Sequence, residues 1–430
     1  MRFLHPLSKY PGPLLASPSN TYKAYYVYNL TLHEKLLELH KTYGPIVRAI
    51  ALIYKGGRAM GKTEFYNAFT AFNPNLFGGR DEDAYPRTPS RQLSHRFAQV
   101  SVQKLEPLIE AQMKVLVDKL HGFAETGKVF DFKHMLSLYV LDILGEVAFA
   151  RPFGVQLKGE AEELHAVNDH LLLAGVIGEL PFQDLTKMLS RLSPVPWMRK
   201  LMKSRNKLKD ICAQCVRFKI NNTSNRPDLL KSLVEAVDPE TGSHSTAGTL
   251  TLLFWHLIQN SEMLATARRE ITTTLGIPPL HNGLCAKENF RANPVFTMPL
   301  WRRVGYPGGF DIGGHHIPQG TSICISNYVL HYNPSIWGPD HPTFNPIRWL
   351  DDEYAKEKAR FLIPFSIGNR MCIGRSLAMT NILKSVTMLL SRFDFEAVER
   401  RKSVAVRSPE IGEMEGEFLV RVSVGEGSSC

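Results

Sequence analysis

One cysteine in this chain is set up for chemistry. Cys372 lies in FSIGNRMCIG, residues 365–374, two positions after Arg370 and between Gly368 and Gly374, and the chain runs on as RSLAMTNILKSVTMLLSRF. Met379, Ile382, Leu383, Val386, Leu390 and Phe393 fall at helical spacing, which predicts that Cys372 sits beside a helix N-terminus. Unpaired amide hydrogens and the helix dipole there favour a thiolate by about 1 kcal/mol, and Arg370 adds positive charge. A bound metal would deprotonate the thiol far more completely. The two glycines permit backbone conformations, and a close approach by a flat ligand, that a Cβ would block. Standing alone, a cysteine is more often a buried apolar residue than a ligand.

Three further groups carry reactive side chains. Glu288 and Arg291, in KENFRANPVFTMPLWRRV, are i,i+3 neighbours on a predicted helix, a spacing that ordinarily gives a solvated ion pair of ~0.2–0.5 kcal/mol. Cys212 and Cys215 form a Cys-x-x-Cys, but on a basic helical stretch and without the second pair that zinc requires. His315 and His316 are adjacent on a predicted strand, so they point to opposite faces and cannot readily share a metal.

The elements that must hold these residues are mostly helical. In LHEKLLELHKTYGP, Leu32, Leu36, Leu39 and Tyr43 form an apolar stripe that stops at Gly44 and Pro45. The same period predicts helices in VSVQKLEPLIEAQMKVLVDKLHGFAETG, MLSLYVLDILGEVAFA and WMRKLMKSRNKLKDICAQCVRFKI. A hairpin is expected in GFDIGGHHIPQGTSICISN, where Thr321, Ile323 and Ile325 alternate after a Pro-Gln-Gly turn. The fold class is therefore mainly α with a small β region, as one domain over 1–430.

Composition sets the outer limits. The chain has 430 residues, 44% hydrophobic and 21% charged, so it can bury a large core. Its six cysteines are too few and too scattered for a disulfide framework, which points to a reducing compartment. A formal charge of +10 and a pI near 9.2 suit an acidic partner or an anionic membrane surface. No lysine/arginine block with interleaved aromatics points to nucleic acid. The basic run KLMKSRNKLKD reads as a solvated face, with membrane contact as the alternative. LLLAGVIGEL is about half of the ~20 apolar residues a membrane span needs. Pro6, Pro11, Pro13 and Pro18 predict a stiff, extended hinge over residues 1–20.

Phe365, Gly368, Arg370, Cys372 and Gly374 together resemble the haem-binding signature of the cytochrome P-450 monooxygenases, with no mismatch at its key positions. The resemblance runs from YPGPLLA through ELHKTYGPIVR, LSHRF and FAETGKVFDF to SPEIGEMEGEFLV, and is strongest to fungal microsomal members, including those similar to benzoate hydroxylases. It implies haem b with Cys372 as axial thiolate, Arg370 on a haem propionate and Phe365 near the sulfur. Phe344, Pro346, Arg348 and Trp349 in FNPIRWL are similar to the segment that meets the family's Glu-x-x-Arg pair. A buried network of Glu288, Arg291 and Arg348 is thereby implied, with a structural role. Arg302 becomes the candidate for a second propionate contact, with Arg303 as rival and Arg91 a weaker third. Phe65, Tyr66, Phe69 and Phe72 fit core and an apolar pocket equally.

Three departures stand out. Members of the family carry a membrane helix before the proline hinge, and here Met1 falls almost on the hinge. The segments after Arg48 and before Leu280 are also shorter than expected. The largest departure is in the central helix, where the family has Ala-Gly-x-Asp/Glu-Thr-Thr. One alignment uses Ala247, Gly248 and Thr251, with Leu250 in the acid's place. The preferred one counts back from FWHLIQN and uses Thr241 to Thr246, which puts His244 at the acid's position, Ser245 at that of the proton-relay threonine and Thr246 after it. DPETG, residues 238–242, resembles the loop that normally precedes this helix by several turns, so the helix's first half is missing.

The resulting expectation is a monooxygenase that inserts one oxygen atom of O2 into a small apolar or aromatic substrate, with electrons from NADPH delivered by a separate reductase. The endoplasmic reticulum membrane, at its cytosolic face, is the location the resemblance implies. The alternatives are another haem-thiolate reaction, such as peroxygenation or isomerisation, and a catalytically impaired haem-binding protein.

Overall fold

Long apolar helical runs broken by glycine and proline give the chain its architecture. The computed structural model describes residues 12, 13, 16, 19–44, 53–55, 57–70, 77–80, 94–160, 162–221, 240–273, 280–401, 403–408 and 410–425. Arg48, Phe72, Arg91 and most of the proline-rich segment lie outside the described residues. The principal helices are α1 (Thr21–Tyr28), α2 (Leu32–Tyr43), α3 (Glu106–Thr126), α4 (Phe132–Phe149), α5 (Glu162–Glu179), α6 (Gln183–Ser190), α7 (Pro196–Asn221), α8 (Glu240–Gln259), α9 (Ser261–Thr273), α10 (Leu280–Ala292) and α11 (Arg375–Arg392).

Several boundaries follow from local chemistry. The α2 stripe ends at Gly44, at φ +90°, as its sequence predicts; Leu32 is buried but Tyr43 stays exposed. The helix expected from Val100 onwards is two helices, Gln99–Gln103 and α3, because Pro107 falls in the first turn of α3, where its missing N–H costs nothing. The Asp131 side chain caps α4 by accepting the His134 amide at 3.3 Å. On α11, Ile382, Val386 and Leu390 are buried, as the spacing after Cys372 predicts, and so is Phe393 just beyond its end, while Met379 and Leu383 are half-buried.

The β structure is more extensive than the sequence implies, and one pairing differs. The described strands form two three-stranded sheets and two hairpins. In the expected hairpin, β4 (Phe310–Ile312) pairs with β5 (His315–Ile317), so the tight turn is Gly313-Gly314 and not Pro-Gln-Gly. Both glycines have positive φ, 56° and 82°, which two-residue turns require. β6 (Ser322–Ile323) instead pairs with β3 (Arg302–Val304), which also pairs with β1 (Met60–Lys62). The second sheet joins β2 (Phe130–Asp131), β10 (Leu419–Val424) and β7 (Phe393–Ala397). β8 (Val406–Arg407) and β9 (Glu413–Met414) form the last hairpin.

Two large apolar cores stand out among the described residues. One joins α3, α4, α8 and α11 around residues such as Leu116, Tyr139, Leu253 and Val386. The other joins α5, α7 and the turn Glu64–Phe69, and it buries Phe65, Tyr66 and Phe69. Among the aromatics that read as either core or pocket, these three are core. Cys212 and Cys215 are both half-buried on α7, and each packs against a core. Among the described residues no group of three or more His, Cys, Asp or Glu could hold a metal ion, and no helix is long and apolar enough to cross a membrane.

Candidate active site

Cys372 is presented by a loop that its own backbone closes. The Cys372 amide donates to the Phe365 carbonyl at 2.8 Å, and the Phe365 ring meets Phe290 of α10 edge to face, centroids 5.3 Å apart. Gly368 is required by this geometry: its φ is +78°, and a Cβ would stand 2.2 Å from the Tyr54 carbonyl oxygen. Gly374 is different. It has φ −77°, open to any residue, and a Cβ there would meet the Cys372 sulfur at an ordinary 3.9 Å. The chain's own atoms therefore do not demand a glycine at 374, whereas a flat group lying over the sulfur would.

The thiol's electrostatics correct the sequence-based expectation. Burial by surrounding protein pushes its pKa up, and the Gly374 amide opposes this only in part. Desolvation thus opposes the helix terminus at this sulfur, and ligation by a metal would favour the thiolate. Although ringed by protein, Cys372 remains exposed at its surface, and Ile373, Leu377 and Met379 at the head of α11 are only half-buried. The Ser366 hydroxyl is buried without a hydrogen-bond partner. A soft sulfur donor, a half-covered apolar face and an orphaned hydroxyl together fit a large, flat, metal-bearing group such as haem.

Arg302 and Arg303 are adjacent on β3 and point oppositely. Arg303 turns outward to Glu64, while Arg302 is buried and donates to the Tyr66 hydroxyl at 2.7 Å and to the Trp301 carbonyl at 2.9 Å. Arg302 also lies over the Tyr54 ring at 5.2 Å. Burial pushes the Tyr66 phenol up, and the charges of Arg302 and Arg370 both pull it back.

Glu288, Arg291 and Arg348 come together, and not as a solvated pair. Glu288 and Arg291 are both 0% exposed. Arg291 Nη2 donates to Glu288 Oε1 at 2.7 Å and its Nε reaches both carboxylate oxygens at 3.0 Å. Arg348 Nε adds a bond to Oε1 at 3.2 Å, and the Asn345 amide another at 3.0 Å. Trp349 Nε1 donates to Oε2 at 2.9 Å. Arg291 Nη1 donates to the His341 carbonyl at 2.7 Å and Nη2 also to the Thr343 carbonyl at 3.0 Å, which fixes the segment leading to Arg348.

On α8, His244 and Ser245 occupy different faces. Ser245 is half-buried and lies on the face of Thr249 and His256, which meets α10: Asn289 Nδ2 donates to the Thr249 carbonyl at 2.9 Å, and Asn293 bonds His256 at 2.7 Å. His244 lies on the face of Gly248, where Gly412 packs against the helix. It is buried, its Nε2 has no hydrogen-bond partner, and burial pushes its pKa down. Thr246 is buried. In the rival alignment, Gly248 packs on Gly412 and Val295, and Thr251 is buried with its hydroxyl turned back to the Ala247 carbonyl at 2.9 Å.

Two contributors carry no local sequence signal. His331 bridges Phe290 of α10 to Ile363, just before the cysteine loop. Arg205, inside the basic run, is buried and donates to His170 Nδ1 at 2.9 Å and to the Ala68 carbonyl at 2.9 Å. His315 and His316 are exposed, and His316 meets Asp311 at 3.0 Å.

Comparison with known proteins gives the same assignment throughout. The cytochrome P450 family model matches residues 87–244 and 241–412, a break that falls at the start of α8. The cytochrome P450 monooxygenase cicH of Emericella nidulans is 28% identical over 475 aligned positions, covering 98% of this chain and 94% of that protein. That span exceeds the chain's 430 residues, so the alignment opens gaps in this chain. The cytochrome P450 monooxygenase poxM of Penicillium oxalicum is 24% identical over 92% of this chain and 85% of its own length. The pisatin demethylase of Fusarium vanettenii is 24% identical over 92% of this chain and 84% of its own length. With its family model matched over most of its length and its cysteine loop, buried acid–arginine network and helical core in place, the chain belongs to the cytochrome P450 family.

Proposed function

We propose that Cys372 is the axial ligand to haem iron, that Arg370 and Arg302 hold the haem carboxylates, and that Phe365, Gly368 and Gly374 shape the loop around the sulfur. The observation that carries this is the closed Phe365–Cys372 loop with its sulfur outside the apolar core. The family makes the chain an oxidoreductase that uses haem, O2 and electrons from a reductase partner. When bound, the haem supplies dioxygen activation, and a thiolate ligand favours O–O cleavage. Glu288, Arg291 and Arg348 act structurally: they hold the Asn345–Trp349 turn against α10.

Ser245 is the inner proton carrier in this reading, with Thr246 and His244 beside it. Its place on the α10-facing side of α8 supports the assignment. A serine lacks the methyl group that restrains a threonine, so its hydroxyl is less well held. His244, kept neutral by burial, is a weak proton source. The substrate class is a small apolar or aromatic molecule of fungal secondary or xenobiotic metabolism, and relatives such as the pisatin demethylase support it. With a cytochrome reductase and NADPH, and no added substrate, consumed O2 divides between hydrogen peroxide and water. Ser245→Ala should shift that division towards peroxide, and an unchanged division would remove Ser245 from the path.

A second reading, a catalytically impaired haem protein, is favoured by the turn of His244 away from the face of Ser245. It predicts no NADPH consumption above the reductase alone. Peripheral membrane contact, as at the endoplasmic reticulum, is better supported by Phe182, Leu185, Met188, Leu189 and Leu192 than by the basic run. These large apolar side chains are exposed around α6, with Arg191, Arg199 and Lys200 nearby. Leu185→Asp with Leu189→Asp should reduce binding to anionic vesicles, and unchanged binding would exclude this surface.

A further inference from the structure

Tyr54 joins the cysteine loop to Arg302. Its carbonyl oxygen would stand 2.2 Å from a Cβ on Gly368, and the Arg302 guanidinium lies 5.2 Å from the centre of its ring. The Tyr54 hydroxyl is engaged by Ile325, donating to the carbonyl at 3.2 Å and accepting from the amide at 3.1 Å. Tyr66 holds the same arginine at one nitrogen. It is 0% exposed, and its hydroxyl accepts Arg302 Nη1 at 2.7 Å. Phe65 and Phe77 meet the Tyr66 ring edge to face at 5.5 and 5.4 Å, and Lys62 Nζ stands 4.8 Å over it, so the ring is fixed by packing. Every side-chain hydrogen bond that Arg302 makes among the described residues leaves from Nη1, to Tyr66, to the Trp301 carbonyl at 2.9 Å and to the Leu300 carbonyl at 3.3 Å. The Nε–Nη2 edge, the side of the fork that matches a carboxylate, carries none. Glu64, the nearby acid, pairs instead with Arg303 and Arg80.

We propose that Tyr66 is a positioning residue for haem binding: by holding Nη1 it turns the free Nε–Nη2 edge of Arg302 towards a haem carboxylate. An arginine already fixed in the plane of its partner loses less freedom when the partner binds. Burial pushes the Tyr66 phenol up, so it stays neutral and orients the cation without cancelling the charge that a carboxylate needs. Tyr54, packed against Gly368 and lying beneath the guanidinium, ties this placement to the loop that carries Cys372. The inference rests on reading Arg302 as a contact to a haem carboxylate.

Haem transfer from the full chain to excess apomyoglobin tests it without turnover, with the chain loaded either with haem b or with its dimethyl ester, whose carboxylates are masked. Tyr66→Phe keeps the ring and removes only the hydroxyl. It should speed the loss of haem b roughly tenfold, the scale of one hydrogen bond, and leave the loss of the ester unchanged. Each variant is compared with itself on the two haems, so a general loss of stability cancels. Equal acceleration with both, or none with either, would make Tyr66 a packing residue only and overturn the inference. In an Arg302→Gln background Tyr66→Phe should have no further effect, and an undiminished effect there would show that Tyr66 does not act through Arg302. Arg302→Gln alone should speed the loss of haem b more than that of the ester. If it does so while Tyr66→Phe does not discriminate, the inference fails and the Arg302 assignment stands. If Arg302→Gln does not discriminate between the two haems, that assignment fails and the inference with it.

Discussion

His331 Nε2 accepts the Ile363 amide at 3.3 Å, two residues before Phe365, while its Nδ1 hydrogen reaches the Phe290 carbonyl at 3.0 Å. One imidazole thereby ties the cysteine loop to the helix that carries Glu288 and Arg291. Its neutral form is the one that can both accept and donate, and burial enforces that form by pushing its pKa down to about 3.

This depression gives stability a pH dependence. Below the ordinary histidine value of 6.5 the unfolded chain takes up a proton that the folded protein refuses, so stability is lost as pH falls from 6.5 towards 3. His331→Gln should narrow the difference in unfolding free energy between pH 7 and pH 5 by roughly 2 kcal/mol. Chemical denaturation at the two pH values measures it, and an unchanged difference would show that His331 protonates freely in the fold.

Glu288→Gln removes the charge that Arg291 and Arg348 share while keeping the shape of the side chain. Two guanidinium groups are then left without their shared buried carboxylate, at a cost of about 3–5 kcal/mol. Urea unfolding and haem content of the purified variant should both fall. A change of under ~1 kcal/mol with normal haem content would mark the pair as the solvated kind.

Glu410 predicts pH dependence of the opposite sign. It is buried with Oε1 unpartnered against Gly175 of α5, at a strained φ of +106°. Burial, and then the nearby Glu179 carboxylate, raise its pKa to about 8. Between 4.5 and 8 the fold retains a proton that the unfolded chain has released, so stability declines as pH rises through that window and levels off above it. Glu410→Gln should remove up to roughly 3–4 kcal/mol of decline between pH 5 and pH 8. Parallel slopes for variant and parent in a melt series would contradict a buried neutral acid.

What was legible in the sequence was local. The loop from Phe365 to Gly374 is contiguous, and Glu288 and Arg291 are three residues apart, so both could be read from spacing and likeness. The Trp349 bond to Glu288 and the His331 bridge to Ile363 join residues 61 and 32 positions apart, distances at which only packing decides the neighbour. The β6 error has the same origin. Ser322–Ile323 alternates like any strand, but its choice of β3 over β5 depends on where Gly313-Gly314 turns the chain. The raised thiol pKa of Cys372 was hidden because desolvation belongs to the folded surroundings, while the helix terminus is visible in sequence.

The central claim is that Cys372 ligates the haem iron. The most direct measurement is the absorption spectrum of the reduced, carbon-monoxide-treated protein, for the parent and for Cys372→Ala at matched haem content. The parent should show the red-shifted Soret band of a thiolate-ligated ferrous carbonyl complex, and the variant should lack it. Retention of that band in Cys372→Ala, or its absence from a haem-replete parent, would contradict the account.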